Sequence, residues 1–267
     1  MRGHANQEYL LLAEKPGYVE LPAETYWQAV LSGAKSAIAR AGIDPMNIVS
    51  LSATTQGETF IPIGPDGGAL RNAIVWLDER ANEQAKRLAE TFDAARFYRE
   101  TGLPELSGYT PISKLLWVKE NEPDLYEKTV KFLLLEDYIL YRLTGKFVTE
   151  KALACSSGWF RFSGDGYWQE ILDAAGIDIE KLPELLECGQ IVPGAVLPEV
   201  RKQLGLSDGV VVVTGAMDQT AGAVGAGNVV PGLVTETTGT ALCVVATLDQ
   251  PDLDHPSRVT LYRHIEC

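Results

Sequence analysis

Apolar residues recur at two different spacings along this chain, and the alternation between the two predicts an α/β body. From Pro22 to Ala41 the residues Trp27, Val30, Leu31, Ala34 and Ile38 recur at helical spacing, and Gly42 stands where such a helix ends. Short strand pieces are expected at residues 8–12 and 18–20, on either side of the turn Lys15-Pro16-Gly17. Ile48–Ala53 reads as a strand leading into the loop Thr54–Thr59, and Phe60–Ile63 as a second strand. Ile74–Leu77 reads as a third, ending at Asp78-Glu79-Arg80, with a helix following through Thr91.

The middle of the chain carries the helical period. Pro111 opens a helix in which Leu115, Leu116 and Val118 face inward, and Asn121-Glu122-Pro123 ends it. Asp137–Leu143 is a further apolar helix closed by Thr144-Gly145. Asp165–Gly176 reads as a short helix and Leu182–Leu186 as another. Strand patterning returns at Val210–Val213, four valines that read as a buried strand. The small residues from Ala221 to Gly227 read as the start of a tightly packed helix.

Asp218 lies between those two elements. On local pattern alone it has two readings. An acid at a strand-to-helix junction can serve as an N-cap, or it can stand at the mouth of an α/β sheet, where ligands bind. Thr235–Thr240 offers hydroxyls and a glycine turn between two β-branched runs, a shape that can wrap backbone N–H groups around a phosphate. A base beside a phosphate loop suggests phosphoryl transfer to a hydroxyl. A dinucleotide-binding reading of Gly225-Ala226-Gly227 fails, because Val230 stands where the third glycine belongs.

Composition narrows the partners. The chain has 267 residues, 46% of them hydrophobic, enough for a sizeable core. A formal net charge of −13 argues against nucleic acid or an anionic membrane as partner. Four scattered cysteines and three histidines form no ligand spacing, so neither zinc nor a disulfide framework is expected, and Cys243 reads as a small core residue. No apolar run is long enough to span a bilayer and no signal-peptide pattern opens the chain, so a cytoplasmic protein is expected.

Several segments, in order, resemble the FGGY family of carbohydrate kinases. Tyr109–Asn121, with Pro111, Lys114, Trp117 and the pair Glu120-Asn121, is similar to the family's first signature. Ser52–Thr59 resembles its substrate loop, Val75–Arg80 the strand and turn beside that loop, and Thr214–Gln219 the segment with the catalytic acid. Thr238-Gly239-Thr240 resembles its second phosphate motif. Read as residues, Lys114 and Trp117 belong to an amphipathic helix stem with a buried indole.

The resemblance implies an actin/hexokinase-like (ribonuclease H-like) α/β fold, a mixed sheet flanked by helices. It implies ATP-dependent phosphorylation of a ketose or polyol, with ATP and Mg²⁺ as cofactors. Asp218 would be the general base. Gln56, Gly57, Glu58, Trp76, Asp78 and Gln219 would hold the sugar, and Thr238, Gly239 and Thr240 a phosphate. Glycerol kinases of the family carry Arg-Glu where Gly57-Glu58 stand, and xylulose kinases tend to carry Met-His; losing the arginine is expected to open space for a longer substrate. Leu153 stands where many relatives have Asp. The family's first phosphate loop, Asp-x-Gly-Thr, does not occur in the chain. Residues 1–248 are therefore expected to be the sugar-binding and catalytic first domain without its first hairpin. Residues 249–267 would begin the connection to a C-terminal domain. Weak nucleotide and metal binding, and a homo-oligomer or a complementing C-terminal half, are expected with it. A non-catalytic remnant that binds sugar or pairs with another chain is the alternative.

Overall fold

The computed structural model describes residues 1–238 and 242–265. In chain order it runs β1 (Glu20–Leu21), α1 (Ala23–Ala41), β2 (Ser50–Thr55), β3 (Phe60–Ile63), β4 (Ala73–Ile74), α2 (Asn82–Thr91), α3 (Ala94–Thr101) and α4 (Pro111–Asn121). It continues through α5 (Pro123–Lys128), β5 (Lys131–Leu134), α6 (Leu135–Thr144), β6 (Val148–Glu150), α7 (Lys151–Ala154), β7 (Phe160–Arg161) and β8 (Gly166–Tyr167). The last elements are α8 (Gln169–Ala175), β9 (Glu184–Leu186), α9 (Pro198–Leu204), β10 (Val211–Met217), α10 (Asp218–Gly225), β11 (Val234–Thr238) and β12 (Leu242–Ala246).

A four-stranded sheet, in the order β1-β4-β3-β5, separates two apolar cores. The period of two along a strand explains how one sheet serves both. Leu133 of β5 enters the core shared with Trp27, Leu31 and Leu140, whereas its neighbours Phe132 and Leu134 enter the other with Phe97, Leu115 and Trp168. Phe60 and Ile61 of β3 divide in the same way. Beside this sheet, β10 pairs with β2 in parallel, and β6 pairs with β9 in parallel.

Four expectations are corrected. Leu182–Leu186 is not helical: Pro183 interrupts it, and Glu184–Leu186 instead forms β9, hydrogen-bonded beside Val148–Glu150. The segment from Asp165 begins as a hairpin, with Asp165 in the left-handed region at φ 57°, and its helix starts only at Gln169. The third strand stops at Ile74, because the next residues turn, with Asp78 N–H donating to the Val75 carbonyl. Cys243 is not a core residue either; it lies half-buried on β12, flanked by the exposed Leu242 and Val244. Among the described residues, no helix is long and apolar enough to cross a membrane.

Candidate active site

Two loops meet at the carboxyl ends of the parallel pair β2 and β10. The one after β2 carries Gln56, Gly57 and Glu58; the other is the direct passage from β10 into α10 at Asp218. The C-terminal edge of parallel strands is where α/β sheets leave a crevice, since the chain turns there from strand to helix.

Asp218 is the first residue of α10, and Met217, not Asp218, occupies the N-cap position. The Asp218 carboxylate is solvent-accessible, and its Oδ1 accepts the N–H of Gln219 at 2.8 Å. Partial burial raises its pKa. Glu58 is more enclosed. Burial raises its pKa first, the Asp218 charge raises it further, and Lys114 acts in the opposite direction. The Asp218 charge therefore reaches Glu58 across the site. Gln219 is exposed beside Asp218.

The Glu58 loop is fastened from beneath. Lys114 of α4 has no accessible surface, and its Nζ donates to the carbonyls of Val75 at 2.9 Å, Glu58 at 3.2 Å and Trp76 at 3.3 Å. Burial pushes the Lys114 pKa down to about 7 against the pull of Asp78 and Glu58. Thr59 adds a second tie, because its hydroxyl oxygen accepts from the Trp76 N–H at 2.9 Å and from Gln56 Nε2 at 2.7 Å. The loop and the Trp76 turn are thus one unit, with the Trp76 indole left partly exposed above it.

Asp78 does not reach this crevice's accessible surface. It is fully buried, and both its oxygens are engaged: Oδ2 accepts from Val19 N–H at 2.6 Å and Arg80 at 2.7 Å, Oδ1 from Arg80 Nε at 2.8 Å and Arg80 N–H at 3.0 Å. The Arg80 guanidinium is itself held between Tyr18, 4.1 Å from the ring centre, and Trp117 at 4.9 Å. Trp117 is accordingly a half-buried wall for Arg80 and not a wholly buried indole. The pocket-wall expectation for Asp78 gives way to a structural ion pair, because an arginine two residues on captures the carboxylate.

Gly57 is also not an open space. A Cβ there would lie 2.7 Å from Ser156 Oγ, 2.9 Å from Ser156 Cβ and 3.3 Å from Met217 Sδ. The volume next to the loop is already filled from α10's approach and from the turn after α7. Thr238 stands exposed at the end of β11, its hydroxyl donating to Glu236 at 2.8 Å, while Gly239 and Thr240 lie outside the described residues.

Sequence reasoning passed over Lys114 as a ligand of the loop, Ser156 as its neighbour, and Glu136. Glu136 and Asp137 form a pair of acids inside the apolar run Phe132–Leu140, and acids in such a run signal burial with a purpose.

Comparison with known proteins agrees with this architecture. Residues 1–225 match the N-terminal domain of the FGGY family of carbohydrate kinases. The chain is 30% identical over 259 residues to the xylulose kinase of Bacillus subtilis, covering 97% of this chain and 51% of that protein. It is 33% identical over 236 residues to the glycerol kinase of Thermococcus gammatolerans, covering 87% and 46% respectively. The crystal structure of a ligand-bound xylulose kinase from Lactobacillus acidophilus superposes with a TM-score of 0.86 at 27% identity, over 94% of this chain and 50% of that one. The chain thus spans about half the length of the relatives it matches. With the match over residues 1–225 and the shared actin/hexokinase-like fold, it belongs to the FGGY family of carbohydrate kinases.

Proposed function

We propose that this protein phosphorylates a hydroxyl of a ketose or polyol, a xylulose-like sugar foremost, using ATP in the cytoplasm. The observation that carries the reading is the placement of Asp218 and Glu58 at the ends of adjacent parallel strands, close enough for one charge to raise the other's pKa. Asp218 is the accessible member and the general base: it accepts the proton of the sugar hydroxyl as that oxygen bonds to phosphorus. Glu58 receives hydrogen bonds from sugar hydroxyls, a role suited to a carboxyl held by a fixed loop. Gln56, Gln219 and the accessible face of Trp76 complete the sugar contacts, with the backbone at Gly57 as floor. Asp78, buried in its pair with Arg80, is left out of the contact set.

The phosphoryl group comes from ATP. Exposed Thr238 fits a phosphate contact by type and position, with Gly239 and Thr240 assigned beside it from sequence. Among the described residues, no group of three or more His, Cys, Asp and Glu side chains is placed to hold a metal ion. A Mg²⁺ accompanying ATP would be held chiefly by phosphate oxygens and water, and no step is assigned to it.

A coupled ADP-release assay over a panel of ketoses and polyols tests the proposal. Asp218→Asn is expected to lower kcat by roughly 10²–10⁴-fold with sugar affinity retained. Equal loss of sugar binding and thermal stability would return Asp218 to a structural role. Sugar binding with no transfer favours a second reading, a sugar-binding chain that pairs with another chain or with itself. The exposed Val234, Leu242 and Val244 on the β11–β12 hairpin support that alternative.

A further inference from the structure

Strand β10 does not run straight into Asp218. Its pairing with β2 steps from Val213 beside Ser52 to Ala216 beside Thr54, so Thr214 and Gly215 together stand against Ala53. Two residues against one make a β-bulge, which re-aims whatever follows it. The bulge admits no side chain: a Cβ on Gly215 would lie 1.7 Å from the Ala53 carbonyl oxygen. A bulge also takes a backbone N–H out of the ladder, and a buried N–H needs an acceptor. Here the Gly215 N–H donates to Glu136 Oε1 at 2.9 Å, across from α6. Thr54 Oγ1 fixes the next peptide by donating to the Ala216 carbonyl at 2.6 Å. Asp218 follows two residues later.

We infer that Glu136 is a positioning residue, holding the bulge that sets the direction in which β10 delivers Asp218 to the site. The inference rests on Asp218 being the base, as proposed above. Glu136 has no accessible surface, and its Oε2 is buried without a hydrogen-bond partner among the described residues. A carboxyl kept in such a place for packing alone would be replaced at lower cost by an apolar residue, so the bond to Gly215 is what the fold gains from it. Glu150 and Asp137 lie beside it, and their charges add to burial in raising its pKa. Glu150 accepts from the N–H groups of Ala152 and Leu153 and from the Cys188 thiol, and its carboxyl also meets the Met217 N–H farther along β10.

The test compares Glu136→Gln, which keeps an acceptor of the same shape, with Glu136→Leu, which removes it. Glu136→Met serves as the adaptable substitute should leucine not fold. Amide hydrogen exchange reads the Gly215 N–H, and carboxyl NMR reads the Asp218 titration. In the apolar variant, exchange at Gly215 is expected to speed up roughly tenfold. The Asp218 midpoint is expected to move by on the order of half a pH unit, and glutamine should restore both. Gly215 exchange unchanged in the apolar variant would overturn the contact. Faster exchange with an unmoved Asp218 midpoint would overturn the positioning role and leave only a structural one. Asp218→Asn in the kinase assay tests the base assignment separately, so a failure of that reading is distinguishable from a failure here.

Discussion

Replacing Asp137 by asparagine should reduce the pH dependence of this protein's stability. Asp137 is in the first turn of α6, where its Oδ2 accepts the Leu134 N–H at 2.8 Å, and it is almost wholly enclosed. Burial pushes its pKa up from 3.8 to about 7, although Thr149 and the Leu134 N–H draw it back down and the charge of Glu150 raises it. The folded state thus holds a proton on Asp137 that the unfolded chain releases near pH 4. Between about pH 4 and pH 7 the folded form binds more protons, so stability falls as pH rises through that window. The difference of roughly 3 pH units corresponds to about 4 kcal/mol, an upper figure because nearby Glu150 is also raised by burial, to about 7. Asparagine keeps the acceptor for Leu134 and never ionises. Urea unfolding from pH 4.5 to 8 at constant ionic strength measures the effect. Wild type should lose stability by up to about 1.4 kcal/mol per pH unit through this group. Asp137→Asn should flatten the profile and be the more stable protein at pH 8. A wild-type profile that rises from pH 5 to 7, or an unchanged slope in the variant, would refute the reasoning.

Further outcomes follow from the site. Lys114→Met leaves the Glu58, Val75 and Trp76 carbonyls without their shared donor and should cost about 2 kcal/mol in urea unfolding, with weaker sugar binding by calorimetry; unaltered sugar affinity would show that the tie does not shape the pocket. Gly57→Ala drives a methyl into Ser156 and should cost about 1–3 kcal/mol, recovered in part by adding Ser156→Gly, so a strictly additive pair would contradict the contact. In Asp218→Asn the Glu58 carboxyl should titrate at lower pH than in wild type, because a charge that raises it has gone; carboxyl NMR reads the midpoint, and no movement would separate the two acids.

The parts of the fold that sequence made legible were those with a long or well-punctuated period. Helix α1 has nineteen residues of one-sided apolar spacing and a glycine at its end, and β3 lies between two clear turns. Strand β9 has three residues, too few to display a period of two, and its partner β6 is far away in sequence. The positions of Asp218 and the Glu58 loop at strand ends were legible because small and polar residues followed directly on apolar strands. Asp78 was misplaced by the same rule. It also follows a strand, yet Arg80 lies close enough in the chain to fold back on it, and Tyr18 and Trp117 hold the arginine there. Lys114 and Glu136 act through backbone atoms of distant segments, and no local pattern announces such a partner.

The contact between Gly57 and Ser156 has a consequence for how this pocket can change. The two positions are remote in sequence, yet they compete for one volume beside the Glu58 loop. A side chain at 57 can be gained only if the space at 156 is given up, and a larger residue at 156 fixes glycine at 57. Under the proposed sugar-binding role, substrate preference in such a wall would drift along a ridge, with most single substitutions stepping off it. A library that varies the two positions one at a time would sample chiefly damaged proteins and suggest a rigid specificity. Varied together, they should yield folded proteins with altered sugar selection, and the accessible combinations would chart the space this family has to explore.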